Sequence, residues 1–169
     1  KSNNSITLFL DIVPRNRTLN YLMETIIPTS PNRYIIRGKN DLVFESNKLF
    51  TSFKPKNDFE KLLHHHTSQG NITDKNGNLW ISVHDVGLVA YNASSNQYKV
   101  FPPAGMFVAD EFSYSAMDKM GNLYFSSNYN NAIWKYETST QLFHNITPTS
   151  LSDTKLDWIR ALGVDVDLN

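Results

Sequence analysis

One phrase occurs twice in the chain, and it limits the possible folds more than any other feature. Residues 72–82 read Ile-Thr-Asp-Lys-Asn-Gly-Asn-Leu-Trp-Ile-Ser, and residues 116–126 repeat them as Ala-Met-Asp-Lys-Met-Gly-Asn-Leu-Tyr-Phe-Ser. Gly121 stands 44 residues after Gly77, and Tyr136 stands 45 after Tyr91. Each copy holds short β-branched and aromatic runs separated by turn residues, which suits strands rather than helices. A period of about 40–45 residues built from short strands is the mark of a propeller blade.

Within the phrase, Asn76-Gly77 predicts a two-residue hairpin turn with both residues at positive φ. Asp74, Asp118 and Asp167 read as turn residues that accept hydrogen bonds from the hairpin backbone. A weaker copy covers residues 21–53. There Tyr34-Ile35-Ile36 stands in place of Leu79-Trp80-Ile81, Ser30-Pro31-Asn32 replaces the Asn-Gly turn, and Leu42 falls in line with Leu88 and Ile133. Outer strands follow at residues 48–53, 97–101 and 141–146.

The fold class expected is therefore all-β, as four-stranded antiparallel propeller blades at about residues 21–53, 70–101 and 114–146, with partial strands at 5–13 and 158–169. Residues 158–169 read as the opening of a fourth copy, with Asp167 in line with Asp118 and Asp74, cut before its turn glycine. Because a blade buries both faces against neighbours, the expectation is a fragment of a larger propeller. Closure as a ring of about four blades, or pairing of two copies, would also cover the end faces. The connections at 54–70, 102–112 and 147–157 vary most and read as loops.

Composition narrows the function. Sixteen basic residues balance sixteen acidic ones, which argues against a nucleic-acid partner. No apolar run reaches the ~20 residues of a membrane helix, so no direct membrane contact is expected of this region. The chain has no cysteine, which excludes disulfides, a thiol nucleophile and thiolate-bound zinc. No nucleophile elbow, phosphate loop or calcium loop occurs. Neither a catalytic residue, a metal ligand nor a cofactor is assigned.

The candidate ligand contacts are loop residues. Arg37 and Lys39, His84 and Asp85, and Asn128, Tyr129 and Asn130 occupy the same inter-strand loop in three successive copies. Together they should line one rim of the ring. Trp158 and Arg160 precede the innermost strand of the last copy and are expected near the channel. Amide, aromatic and cationic groups suit a sugar or an acidic glycan. His64-His65-His66 reads as a solvated loop, since neighbours on an extended segment point to opposite faces and do not converge on one ion. Trp80, Trp134, Tyr91 and Tyr136 read as packing between blades.

Asp74 to Ser82, followed by Gly87-Leu88 and Tyr91-Asn92, resembles the two-component regulator propeller repeat, whose pattern is Asp-x-x-Gly-Asn-Leu-Trp-Ile-Gly-Thr, then Gly-Leu and Tyr/Phe-Asp. Residues 116–143 resemble it more weakly: Tyr124 replaces Trp, Ser126 replaces Gly, and Ala132-Ile133 replaces Gly-Leu. The resemblance implies the periplasmic sensor part of a bacterial hybrid histidine kinase, in which propellers precede a β-sandwich, a membrane helix and the kinase. It further implies a small-molecule or oligosaccharide ligand, often a glycan breakdown product. Two other readings stand beside it: a propeller lyase or lactonase with His and carboxylates around an ion, and a protein-interaction scaffold with an exposed apolar patch.

Overall fold

A computed structural model describes residues 25–30, 32–37, 41–46, 48–50, 52–101, 112–127, 132–147 and 162–164. They form three antiparallel sheets of four strands each, and within each sheet the strands follow chain order. The first sheet holds β1 (Thr25–Ser30), β2 (Arg33–Arg37), β3 (Leu42–Glu45) and β4 (Lys48–Phe50). One helix, α1 (Asp58–His65), follows it. The second sheet holds β5 (Ser68–Thr73), β6 (Asn78–Val83), β7 (Gly87–Asn92) and β8 (Gln97–Phe101). The third holds β9 (Phe112–Met117), β10 (Leu123–Ser127), β11 (Ala132–Glu137) and β12 (Leu142–Asn145). The inner strands β1, β5 and β9 run beside one another. This is the meander and radial order of propeller blades.

The two-residue period of β6 explains why the sheets stack. Leu79, Ile81 and Val83 face the first sheet, in a cluster with Ile27, Ile35, Val89 and Tyr91. Trp80, on the opposite face, packs with Leu88, Leu123, Phe125 and Tyr136 toward the third sheet. Both faces of β6 are buried, so the strand reads as an apolar run rather than an alternation. The four aromatic residues singled out in the sequence do pack between sheets. Trp80 lies 4.6 Å from Tyr136 and 5.3 Å from Phe101, ring to ring, and Tyr91 is 1% exposed. Trp134 is half-buried against the same cluster.

Three features differ from expectation. First, the repeated hairpin is not a two-residue turn. Gly77 N–H donates to the Asp74 carbonyl at 3.0 Å, and Asp74 N–H donates to the Asn78 carbonyl at 2.9 Å. The loop is therefore Lys75-Asn76-Gly77, a tight turn followed by one left-handed residue, and that residue is Gly77 at φ 79°. The second copy repeats both bonds at Asp118, Gly121 and Asn122, with Gly121 at φ 93°. One glycine suffices, which is why Met120 can stand where Asn76 does.

Second, residues 58–65 form α1 rather than part of a loop. Asn57 caps it, its Oδ1 accepting the Glu60 N–H at 2.7 Å. Phe59 and Leu63 are buried beneath it. His64 and His65 belong to its last turn and are exposed, and His66 ends it.

Third, the first sheet is offset by one residue from the alignment read in the sequence. Val43 pairs with Ile35 and Ala90 pairs with Trp80, and Ile35 and Trp80 each face the following sheet. Val43 is thus the counterpart of Ala90, and Leu42 corresponds to Val89 rather than to Leu88. The slip lies between β2 and β3, which are separated by four residues, against three between β6 and β7.

Candidate functional site

Arg37, His84 and Asp85 lie among the described residues. Lys39, Asn128, Tyr129, Asn130, Trp158 and Arg160 fall outside them. Arg37 ends β2 and is 8% exposed. It pairs with Asp41 at 3.1 Å and donates a hydrogen bond to the Leu63 carbonyl at the end of α1. Its guanidinium thus ties the helix C-terminus to the first sheet, where a cation also meets the negative end of the helix dipole. His84 and Asp85 form the β6–β7 turn, with Asp85 at φ 61°. His84 Nδ1 lies 2.9 Å from Asp85 Oδ2, and both side chains are exposed. Among the described residues, no group of three or more His, Asp or Glu side chains could hold a metal ion.

The opposite rim, where the repeated hairpins lie, carries the denser chemistry. Asp74 Oδ1 accepts the Asn76 and Asn78 N–H groups at 2.9 Å each. Its Oδ2 accepts the Asn78 side-chain amide at 2.9 Å and the Trp80 indole N–H at 2.8 Å. One carboxylate thereby closes the turn and fixes the ring that packs against the third sheet. Asp118 does the same with Asn122 N–H at 2.8 Å, the Asn122 amide at 2.9 Å and the Tyr124 hydroxyl at 3.1 Å. Burial opposes the Asp118 charge, but the hydrogen bonds from Asn122 and Tyr124 prevail and hold its pKa below the usual carboxylate range. Asn78 extends the network by accepting from the Asn92 amide at 2.9 Å. Lys75 donates to the Lys119 carbonyl and so joins the two hairpins.

Of two clefts, one adjoins these networks. The larger, of about 380 Å³, lies between the second and third sheets on the hairpin rim. Asn78, Trp80, Ala90, Asn92, Gln97 and Lys99 line it from the second sheet, and Tyr136, Thr138 and Gln141 from the third. The smaller, of about 250 Å³, lies beside Arg33, Glu45, Lys54 and Lys56 of the first sheet and its connection. Neither is lined by Arg37, His84 or Asp85. The cleft residues were missed in the sequence because they sit on strands and hairpins. The repeat pattern draws attention to loops on the other rim instead.

Between the first two sheets, the helix supplies the filling. Phe59 stacks on Tyr91 at 3.9 Å and 10°. Glu60, 1% exposed, accepts from Arg33 Nε at 2.7 Å and Nη2 at 2.9 Å, from the Thr29 hydroxyl at 2.7 Å and from Lys56 N–H at 2.8 Å. Burial alone would raise the Glu60 pKa; these donors and the Arg33 charge outweigh it and bring the pKa below its ordinary 4.5. Arg33 also pairs with Glu45 at 3.1 Å.

No family model matches the chain, and no curated protein matches it in sequence. Among solved structures, the extracellular domain of BT4673 from B. thetaiotaomicron, described as a one component system, matches 88% of this chain with a TM-score of 0.52 and 18% identity. A catalytically inactive virginiamycin B lyase from Staphylococcus aureus with quinupristin matches 76% of it with a TM-score of 0.46 and 12% identity. The extracellular domain of BT3049 from B. thetaiotaomicron, described as a hybrid two component system, matches 75% with a TM-score of 0.36 and 13% identity. The last two superpose too loosely to bear on the fold. This chain spans 19%, 43% and 22% of those three chains, respectively. The likeness to the BT4673 domain agrees with the sheet order and the two-faced burial of the second sheet, and the chain has the fold of β-propeller blades.

Proposed function

We propose that this chain is part of a ligand-sensing propeller in the extracytoplasmic portion of a bacterial two-component regulator. The observation that carries the reading is the duplicated turn, matched in the two copies bond for bond from the aspartate to the ring six residues on. That turn is the part of the sequence most similar to the regulator propeller repeat. The extracellular BT4673 domain, with the same fold, supports the reading. On this reading the propeller of the present protein binds a small molecule or oligosaccharide outside the inner membrane, stacks on further blades of the same protein, and passes the binding event to a histidine kinase. This region itself performs no chemistry.

The test uses the full natural protein. Alkaline phosphatase joined just after this region reports its compartment. Kinase autophosphorylation in vesicles is then measured against an oligosaccharide panel, with chromatography of the panel afterwards. The reading predicts active phosphatase, a ligand-dependent change in autophosphorylation and an unaltered sugar. Inactive phosphatase, or a panel member converted to product, would overturn it.

A further inference from the structure

Asn76-Gly77 is the one Asn-Gly pair in the sequence, and such a pair can react with itself. Glycine has no side chain to hinder approach, so its backbone nitrogen can close on the asparagine side-chain carbonyl. The Gly77 N–H gives its proton to hydroxide, the nitrogen bonds to Asn76 Cγ, and the Cγ–Nδ2 bond breaks to release ammonia. Water then opens the cyclic imide. Cleavage between the nitrogen and Cγ leaves an ordinary aspartate at position 76. Cleavage between the nitrogen and the main-chain carbonyl carbon leaves isoaspartate, with the chain running through the β-carbon.

The electrophile is accessible. Asn76 is exposed at the hairpin tip, and its side-chain amide has no hydrogen bond to any described residue. The turn does not use that amide, since the second copy makes the same two backbone bonds with Met120 in its place.

The nucleophile is withheld. Gly77 N–H donates to the Asp74 carbonyl at 3.0 Å and so points into the loop. The N–H groups on either side, of Asn76 and Asn78, both donate to Asp74 Oδ1 at 2.9 Å. One residue therefore pins three successive amides, and swinging the Gly77 nitrogen toward Asn76 Cγ would break its bond. The Asp74 carboxylate also opposes the amide anion that must form, because a like charge nearby disfavours deprotonation. Asp74 is 9% exposed, so salt screens that charge little.

The product does not fit the turn. Isoaspartate lengthens the backbone by one atom inside a loop closed by two bonds to Asp74, and it adds a carboxylate beside that residue. Asp74 also holds the Trp80 indole, and Lys75 ties this hairpin to Lys119. Damage at the tip thus reaches the stacking of the second sheet on the third.

We infer that Asn76-Gly77 is a conditional modification site: the folded turn withholds it from isoaspartate formation, and opening of the turn releases it to a product that the turn cannot accommodate.

The experiment incubates the full natural protein at mildly alkaline pH, folded and in urea, and quantifies isoaspartate at position 76 by peptide mapping. It should form at least about tenfold more slowly in the folded protein, in proportion to the fraction of time the turn is open. Asp74→Ala should speed it in the folded state, and Asn76→Met should form none. The isoaspartyl form, separated by ion exchange, should melt below the unmodified protein. Equal rates in the folded and urea-unfolded protein, no isoaspartate at position 76 in urea, a folded Asp74→Ala variant with an unchanged rate, or an isoaspartyl form that melts with the unmodified protein would each overturn the inference. If Asp74→Ala does not fold, the comparison of folded and urea-unfolded natural protein decides.

Discussion

Glu60→Ala is expected to cost about 3–5 kcal/mol of folding stability, as for removal of one partner from a buried ion pair. Arg33 is 5% exposed and would keep Glu45 at 3.1 Å, but its bidentate partner would be gone. The Thr29 hydroxyl and Lys56 N–H would also lose the acceptor they share. The loss falls on α1, because Glu60 sits in its first turn and anchors it to the first sheet. Hydrogen exchange should therefore show protection lost first in 57–65 and in β1 and β2, with β10 and β11 retained. Replacing both partners, Arg33→Met with Glu60→Leu, should recover much of the loss, since apolar groups of similar volume leave no charge stranded.

The same group makes stability depend on pH. The folded pKa of Glu60 lies below its ordinary 4.5, so the unfolded chain binds its proton more readily. The contribution is complete above 4.5 and is lost as pH falls through the lower folded value. Urea unfolding followed from pH 7 down to 3 should show a drop in that window that is shallower in Glu60→Gln. An equal slope in both proteins would show that Glu60 is not held as described.

Asp74→Ala should be the second most damaging change, at about 2–4 kcal/mol, because four donors lose one acceptor and the indole N–H of Trp80 is left buried. Trp80 is 4% exposed, and Asp74 is the acceptor that holds its indole N–H. Asp118→Ala should cost less, about 1–2 kcal/mol, since the Tyr124 hydroxyl is half-exposed and can turn to solvent. Asp74→Asn should not be conservative. With its carbonyl toward the turn N–H groups, its amide would face two donors, Asn78 Nδ2 and Trp80 Nε1. Thermal melts of the three variants provide the ranking, and equal losses at Asp74 and Asp118 would contradict it.

The turn and the stacking were legible because they are local and duplicated. Asp, Gly, Asn, Leu and the ring each answer a need of one hairpin, so the phrase survives intact in both copies. The packing aromatic residues were legible for the same reason. The turn type was misread because Asn-Gly suits two hairpin classes, and Met120 in the second copy was the clue that only the glycine must be left-handed. The helix was missed although its signals were present: Asn57 with Glu60 three residues on resembles a capping box, and Phe59, Leu62 and Leu63 share a face. Three adjacent histidines drew attention to metal chemistry instead. Arg37 was read as a loop cation because nothing local reveals that a carbonyl of α1, 26 residues later, lies over it. The cleft depends on which side chains neighbour across two sheets, and no contiguous stretch encodes that.

The stacking of the second sheet between the other two underlies every conclusion here, and side-chain NOEs in the protein in solution test it most directly. Consecutive residues of β6 should report opposite neighbours: Ile81 methyls to Ile35 of the first sheet, and the Trp80 indole to the Tyr136 ring of the third. Contacts from both residues to a single sheet, or backbone NOEs pairing β6 with β10 in one continuous sheet, would contradict it.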